Sequence, residues 1–296
     1  MTTQQAPAED SVTSSVYNFR KENGRTYHAY KEGDLQHELY LRTLGQKLYL
    51  APLKSLHEVL DVGTGSGIWA IDFADEHPSA RVCGTDLSPN QPAYIPPNCE
   101  FLIDDANEAW TFNREFDYVH CRQLHTAIEE KKLFQQAFSN LKPGGWIEMQ
   151  ELAQPVCCDD GTIPDDCLLK QWCMNMLKAA EKGGHHLDNP PKYKMWIEEA
   201  GFINVHEERL KWPMNPWPED EEMKTLGQWA VTNAMSGLNG FTMAQFTRHL
   251  GWSSGEVEVF LAGVRKDLMN QSIHGYWAVY VVYGQKPGDA EGDEWA

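Results

Sequence analysis

"VLDVGTGSGIWA", residues 59–70, restricts the fold of this chain more than any other stretch. An apolar run ends in Asp61, three glycines follow within five residues, and "IWAIDFADEHP" comes next. The run reads as a buried strand, and the segment after the glycines as the helix behind the turn. Gly63 and Gly65 let the backbone take angles closed to other residues, and they let a ligand approach the main chain. The helix start then offers free N–H groups and a positive dipole end. The glycines alone are a weak signal, because a tight strand-to-helix turn needs them with no ligand present. The spacing is GxGxG where a dinucleotide fingerprint has GxGxxG. No GxxxxGK[ST] is present, which excludes a nucleotide-triphosphate P-loop.

The acids further along add more. Asp86 ends a second strand in "GTDLS", about 20 residues past the glycines, where a carboxylate suits the two hydroxyls of a ribose. That position leaves NAD and other adenosine ligands equally open. Asp104 and Asp105 end a third strand in "LIDDA", and a carboxylate there can accept from an adenine amine. Any one of these acids alone reads equally well as a helix cap or a solvated loop residue. Three strand ends carrying acids beside one glycine loop point to the ligand edge of an open α/β sheet.

The same alternation continues. "FDYVHCR" and "WIEMQEL" read as fourth and fifth strands, with a helix over "EEKKLFQQAFSNLKPGG" stopped by Pro-Gly-Gly. Residues 16–50 and 165–182 are expected to be helical, and "FINVHEERLKW" and "GYWAVYVVYGQKP" to be late strands. Residues 219–265 read as a mainly helical insertion between those strands, broken near "SGLNGF" and "GWSS". A chain of 296 residues, 42% hydrophobic and 23% charged, suits a globular protein with one large core. No apolar run approaches the ~20 residues of a membrane span. The net charge of −18 disfavours a nucleic-acid partner. Seven cysteines without CxxC spacing, and a polar N-terminus without a signal sequence, suggest free thiols in a reducing, cytoplasmic setting, with a nuclear one open. Polar or acidic tails are expected at 1–15 and 288–296.

"VLDVGTGSGIWA", "GTDLS", "FLIDDA", "FDYVHCR" and "LKPGGWIEMQE", in this order and spacing, resemble class I S-adenosylmethionine-dependent methyltransferases. "GRTYHAYKEG", "FTMAQFTRHLGWSSGEVEVFLAGVRKDL" and "YVVYGQKP" resemble the fungal LaeA-like subfamily, so the resemblance covers about residues 17–287. It implies an α/β, Rossmann-like seven-stranded sheet of order 3-2-1-4-5-7-6 with the last strand antiparallel. It implies one domain over 16–287: lid helices at 16–56, a cofactor-binding core at 57–152, and a helical substrate cap at 153–200 and 216–270. The implied cofactor is S-adenosyl-L-methionine. Asp61, Gly63, Thr64, Gly65, Ser66 and Gly67 would wrap its methionine part, Asp86 would hold the ribose, and Leu87 would pack on the adenine. Asp105 with Ala106 would read the adenine amine, with Asp104 as the alternate. Cys121 and Arg122, beside His120, would face the methionine end, Arg122 pairing with its carboxylate. Tyr27 and Tyr30 would close over it from a lid helix.

Methyl transfer from a sulfonium needs alignment and exclusion of water, and a general base where the acceptor is a hydroxyl or thiol. His125, just beyond strand four, and Glu151, ending strand five, are the candidate catalytic residues, each with a packing or loop role as the plainer reading. His185 and His186 have no partners at ligand spacing, so no metal is expected. Trp172, Met176, Trp229 and Phe241 either fill a satellite core or line an apolar pocket for a small, bulky acceptor. The favoured function is transfer to an O, N or S atom of a small, largely apolar secondary metabolite. The alternatives are a LaeA-like regulator acting through a velvet-type protein partner, and a cofactor-binding scaffold without catalysis. No run of five or more Lys/Arg supports nuclear import, and a protein partner is not otherwise indicated.

Overall fold

Alternation along the strands sets the layers. In the first strand of the seven-stranded sheet, β1 (Glu58–Val62), Val59 packs on one face and Leu60 on the other. Val82 and Cys83 divide in the same way in β2 (Arg81–Asp86). β3 (Cys99–Ile103) is the edge strand, and Tyr118 and Val119 divide across β4 (Phe116–Arg122). A computed structural model describes residues 21–22, 25–26 and 30–288 of the protein; the side chains of 21–22, 25–26 and 30–34 lie outside the description. The sheet continues through β5 (Leu141–Cys157), β6 (Ile203–Pro213) and β7 (Tyr276–Gln285), in the order β3-β2-β1-β4-β5-β7-β6. The first five strands are parallel, and β7 runs antiparallel between β5 and β6, as the resemblance implies.

The helices follow from stripes of apolar residues. α1 (Tyr30–Thr43) lies before the sheet, and α2 (Ile68–Glu76) buries Trp69 and Phe73 against one face. α3 (Glu130–Asn140) buries Leu133 and Phe134 on the other face. α4 (Leu168–Lys182) follows, and α5 (Tyr193–Glu199) joins α3 over that second face. α6 (Glu221–Gln245) and α7 (Ser254–Met269) lie between β6 and β7. With α1 and α4 they enclose a third core around Trp172, Trp212, Val257, Leu261 and Trp277.

Two expectations change. Helix over 16–50 is confined, among the described residues, to α1; Gly45 and Gln46 stop it with φ of +65° and +62°. The break expected near "SGLNGF" is absent, and α6 runs through it. A helical glycine costs about 1 kcal/mol, but Leu238 and Met243, on either side of Gly240, are buried in the cap core, and that burial offsets the cost. The break at "GWSS" does occur: a π-helical turn at Phe246–Leu250 ends at Gly251, and Ser253 with Glu256 forms a capping box that starts α7. The tail expected at 1–15 lies outside the described residues, as does all but Gly288 of the one expected at 288–296.

Glu148 of β5 fastens the segment joining α1 to β1. Its fully buried carboxylate accepts from the N–H groups of Leu50 (2.9 Å) and Ala51 (2.7 Å) and from the Gln150 amide (2.8 Å). Burial, opposed by these bonds, pushes its pKa up to about 6. Between its unfolded value and about 6 the native state holds a proton that the unfolded chain has lost. This group's contribution to stability therefore falls as pH rises through that window and is flat above it. Urea unfolding should show the wild type gaining about 1 kcal/mol on Glu148→Gln at pH 5 relative to pH 7.5. An equal gap at both pH values would contradict the shift.

Candidate functional site

The glycine loop is built from β1 into α2. Gly63, Gly65 and Gly67 have φ of +65°, +59° and +82°, all in the left-handed region. Asp61, buried at the end of β1, accepts from the Thr64 hydroxyl (2.6 Å) and pairs with His120 Nδ1 of β4 (2.7 Å). His120 stacks on Trp69 at 3.7 Å and is fully buried. Burial lowers its pKa and Asp61 opposes that, so a neutral imidazole donates Nδ1–H to the carboxylate. A Cβ on Gly63 would sit 2.3 Å from the Leu124 side chain. Gly63→Ala therefore combines backbone strain with overpacking, and should lower stability by about 1–3 kcal/mol in urea unfolding. An unchanged midpoint would contradict the tight loop.

The carboxyl ends of β2 and β3 complete one wall. Asp86 accepts from Gly65 N–H (2.8 Å) and Ser88 N–H (2.9 Å), which ties it to the loop. The Gln91 amide reaches back to the Gly65 carbonyl (2.7 Å). Asp104 Oδ1 accepts from Asp105 N–H, and Asp105 Oδ1 from Asn107 N–H, each at 2.9 Å. The other oxygen of each of these two acids carries no hydrogen bond among the described residues. Between these ends and β4 lies a cleft of about 340 Å³, within the range of small-molecule sites.

The opposite wall is Arg122, the last residue of β4. It is half-buried, donates to His37 Nδ1 (3.2 Å), and lies over the Tyr40 ring (5.1 Å). His37 Nε2 in turn meets Asp72 Oδ2 at 2.9 Å. Burial pulls the guanidinium's pKa down, with Asp61 and Asp72 opposing, and arginine stays charged.

Beyond Arg122 the backbone turns through Gln123, at φ +57°. The fully buried Glu151 anchors this turn. Its Oε2 accepts from the N–H groups of Leu124 (2.7 Å) and His125 (3.0 Å), its Oε1 accepts from Leu152 N–H (3.1 Å), and that same oxygen forms an ion pair with His125 Nδ1. Burial works against a charged His125, but the charge and hydrogen bond of Glu151, with Glu130 beyond, hold its pKa above the ordinary value. Burial and Glu151 also keep the Tyr40 phenol protonated. It therefore donates, at 2.6 Å, to the Gln123 amide oxygen, in the amide orientation that also gives Glu151 Oε1 a donor at 3.3 Å.

The structure gathers Asp61, Gly63, Thr64, Gly65, Ser66, Asp86, Leu87, Asp104, Asp105, Ala106 and Arg122 around one cleft. Gly67 lies just behind, where a Cβ would strike the Phe101 ring at 2.4 Å. The Cys121 side chain does not reach the cleft: it is fully buried in the sheet core, and burial pushes its thiol pKa well up. His125 and Glu151 are brought together, one residue beyond the cleft-lining Leu124. Tyr27 lies outside the described residues, and Tyr30 is described only as the first residue of α1.

The four aromatic and methionine candidates for acceptor binding do not line the cleft. Trp172 is buried with its indole N–H on Thr242 (2.8 Å), and Met176 is buried beside it in the cap core. Trp229 packs under Arg42, and Phe241 is 59% exposed. Their helical spacing reflects a core stripe for the first three. Sequence reasoning also missed Gln36, Asn107 and Gln123 on the cleft. Asn107 had a signal, since it follows the strand-end acids directly; Gln36 had none, because a surface helix brings it in from far along the chain.

Comparison with known proteins agrees with this geometry. Residues 34–207 match the methyltransferase domain family. The chain is 48% identical to the "probable methyltransferase tdiE" of Emericella nidulans, over 86% of this chain and 80% of the relative. It is 37% identical to "methyltransferase pytC" of Aspergillus terreus, over 94% and 91% of the two chains. It is 33% identical to the "secondary metabolism regulator LAE1" of Cochliobolus heterostrophus, over 90% and 94%. Among solved structures, phosphoethanolamine N-methyltransferase 2 of Haemonchus contortus in complex with S-adenosyl-L-methionine matches with a TM-score of 0.50 at 20% identity. That match covers 86% of this chain and 52% of that one, so this chain spans about half its length, and the likeness is one of fold. A family match over more than half the chain, with two named methyltransferases at this identity, settles membership: the chain belongs to the methyltransferase domain family, as an S-adenosylmethionine-dependent enzyme.

Proposed function

We propose that this protein transfers a methyl group to an O, N or S atom of a small, largely apolar secondary metabolite, with the cofactor held in the cleft between the glycine loop and Arg122. One observation carries the reading: the glycine loop, the strand-end carboxylates and one arginine converge on a single cleft of about 340 Å³. The cleft fits the cofactor chemically. A Cβ on Gly65 would meet nothing within 4 Å, so that glycine leaves a cradle open on the cleft side. In this reading Gly63 to Gly67 line the methionine part, and Asp86 accepts from the ribose. Leu87 lies against the adenine, Asp105 with Ala106 reads its amine, and Asp104 is the alternate. Arg122 pairs with the carboxylate, beside the main chain of Cys121. The cofactor, when bound, supplies an electrophilic sulfonium methyl.

The chain's own task is to hold the acceptor in line, exclude water and remove its proton. The His125–Glu151 pair is the candidate for the last step: the carboxylate both orients the imidazole and raises its proton affinity. The domain limits proposed are a single unit over 16–287 with the cap at 153–200 and 216–270. Seven unpaired cysteines support a reducing, cytoplasmic compartment. No helix among the described residues is long and apolar enough to cross a membrane.

The similarity to a secondary metabolism regulator favours a second reading, in which the chain acts through a protein partner. Incubation with methyl-labelled cofactor and a panel of small aromatic alcohols, amines and thiols separates the two. Label in a small acceptor supports the enzyme of metabolism. Label in none of them, with co-elution of a regulatory protein, would overturn it.

A further inference from the structure

We propose that His37 and Asp72 are positioning residues for the carboxylate end of the cofactor, acting through Arg122. The inference rests on the reading of the cleft given above. Arg122 lines the cleft from the end of a strand, and a long side chain there loses affinity unless its rotamer is fixed beforehand. Two groups of α1 fix it: the face of Tyr40 and His37 Nδ1.

His37 itself admits one proton arrangement. It is 3% exposed and both ring nitrogens are engaged. A guanidinium only donates, so Nδ1 facing Arg122 carries a lone pair. Nε2 then carries the hydrogen and donates to Asp72, which selects this tautomer. A doubly protonated ring would set N–H against N–H and one cation against another. Asp72 is therefore an orienting carboxylate for the neutral imidazole, and the imidazole is an acceptor that aims the arginine.

Asp61 accepts from Thr64 through Oδ2 and pairs with His120 through Oδ1, and among the described residues the hydrogen bond of Arg122 goes to His37. The relay uses one N–H of Arg122 and leaves its fork for a carboxylate brought by a ligand. It also joins three elements far apart in sequence: α1, the helix α2 behind the glycine loop, and β4. The arrangement thus couples the seating of α1 to the methionine end of the cleft.

Two ligands separate positioning from simple packing. S-adenosylhomocysteine carries the amino-acid carboxylate; 5′-methylthioadenosine keeps the adenosine and sulfur and lacks it. Both are titrated calorimetrically into wild type, His37→Ala, His37→Asn and Asp72→Asn, with folding checked by circular dichroism. We expect S-adenosylhomocysteine to bind about tenfold more weakly to His37→Ala, with 5′-methylthioadenosine changed by less than about twofold. His37→Asn keeps an acceptor near Nδ1 and should recover part of the loss, so the proposal stays testable if the alanine variant fails to fold. Equal weakening of both ligands, or unchanged affinity for S-adenosylhomocysteine, would overturn the positioning role. Wild type that binds neither ligand would instead overturn the cofactor reading on which it rests.

Discussion

Glu151→Gln is expected to lower methyl transfer about 10²-fold while leaving cofactor affinity nearly unchanged. The carboxylate has two functions that this substitution separates. As an acceptor it holds the N–H groups of Leu124, His125 and Leu152, and the Gln oxygen can keep part of that set. As a charge it raises the His125 pKa against burial, and Gln cannot do this. With the charge gone burial dominates, and the imidazole pKa should fall below its ordinary value. The active form of a base is deprotonated, so the wild-type rate rises with pH through the raised pKa. In Glu151→Gln that limb moves to lower pH, and the remaining base is weaker. Ring-proton NMR of His125 reads the shift directly, even before the acceptor is identified. A His125 titration that does not move would contradict the dyad. Glu151→Leu goes further: it strands buried N–H groups and His125, and should cost about 3–5 kcal/mol of stability.

Asp86→Ala should weaken cofactor binding by about 1.5–3 kcal/mol, or roughly 10- to 100-fold. Part of that loss comes from ribose hydroxyls with no acceptor. The rest comes from the loop, because Asp86 also fastens Gly65 and Ser88 through their N–H groups. Asp86→Asn retains an acceptor oxygen and should lose less. Titration of all three proteins with S-adenosylhomocysteine tests the order. Equal affinity across them would remove Asp86 from the cofactor site.

What was legible in the sequence was local or periodic. The glycine loop, the acids at the ends of β2 and β3 and the alternation of strands and helices announce themselves within short windows. The order of the last strands came only with the family resemblance, since no local pattern tells β7 to insert between β5 and β6. The cleft's far wall was partly hidden. Arg122 stood at a readable strand end, but His37 and Asp72 lie 85 and 50 residues before it on helices, and only the packing of α1 and α2 joins them to it. Trp172 and Met176 show the opposite limit: helical spacing of large apolar residues describes a core stripe and a pocket wall equally well, and here they fill core. The continuous α6 teaches the same lesson, because "SGLNGF" breaks a helix by propensity until Leu238 and Met243 are buried in the cap core.

Calorimetric titration of the purified wild-type protein with S-adenosylmethionine tests the central claim most directly. The account predicts one site per chain with micromolar affinity, and competition by S-adenosylhomocysteine at that same site. No binding at millimolar cofactor, in protein shown to be folded, would contradict it.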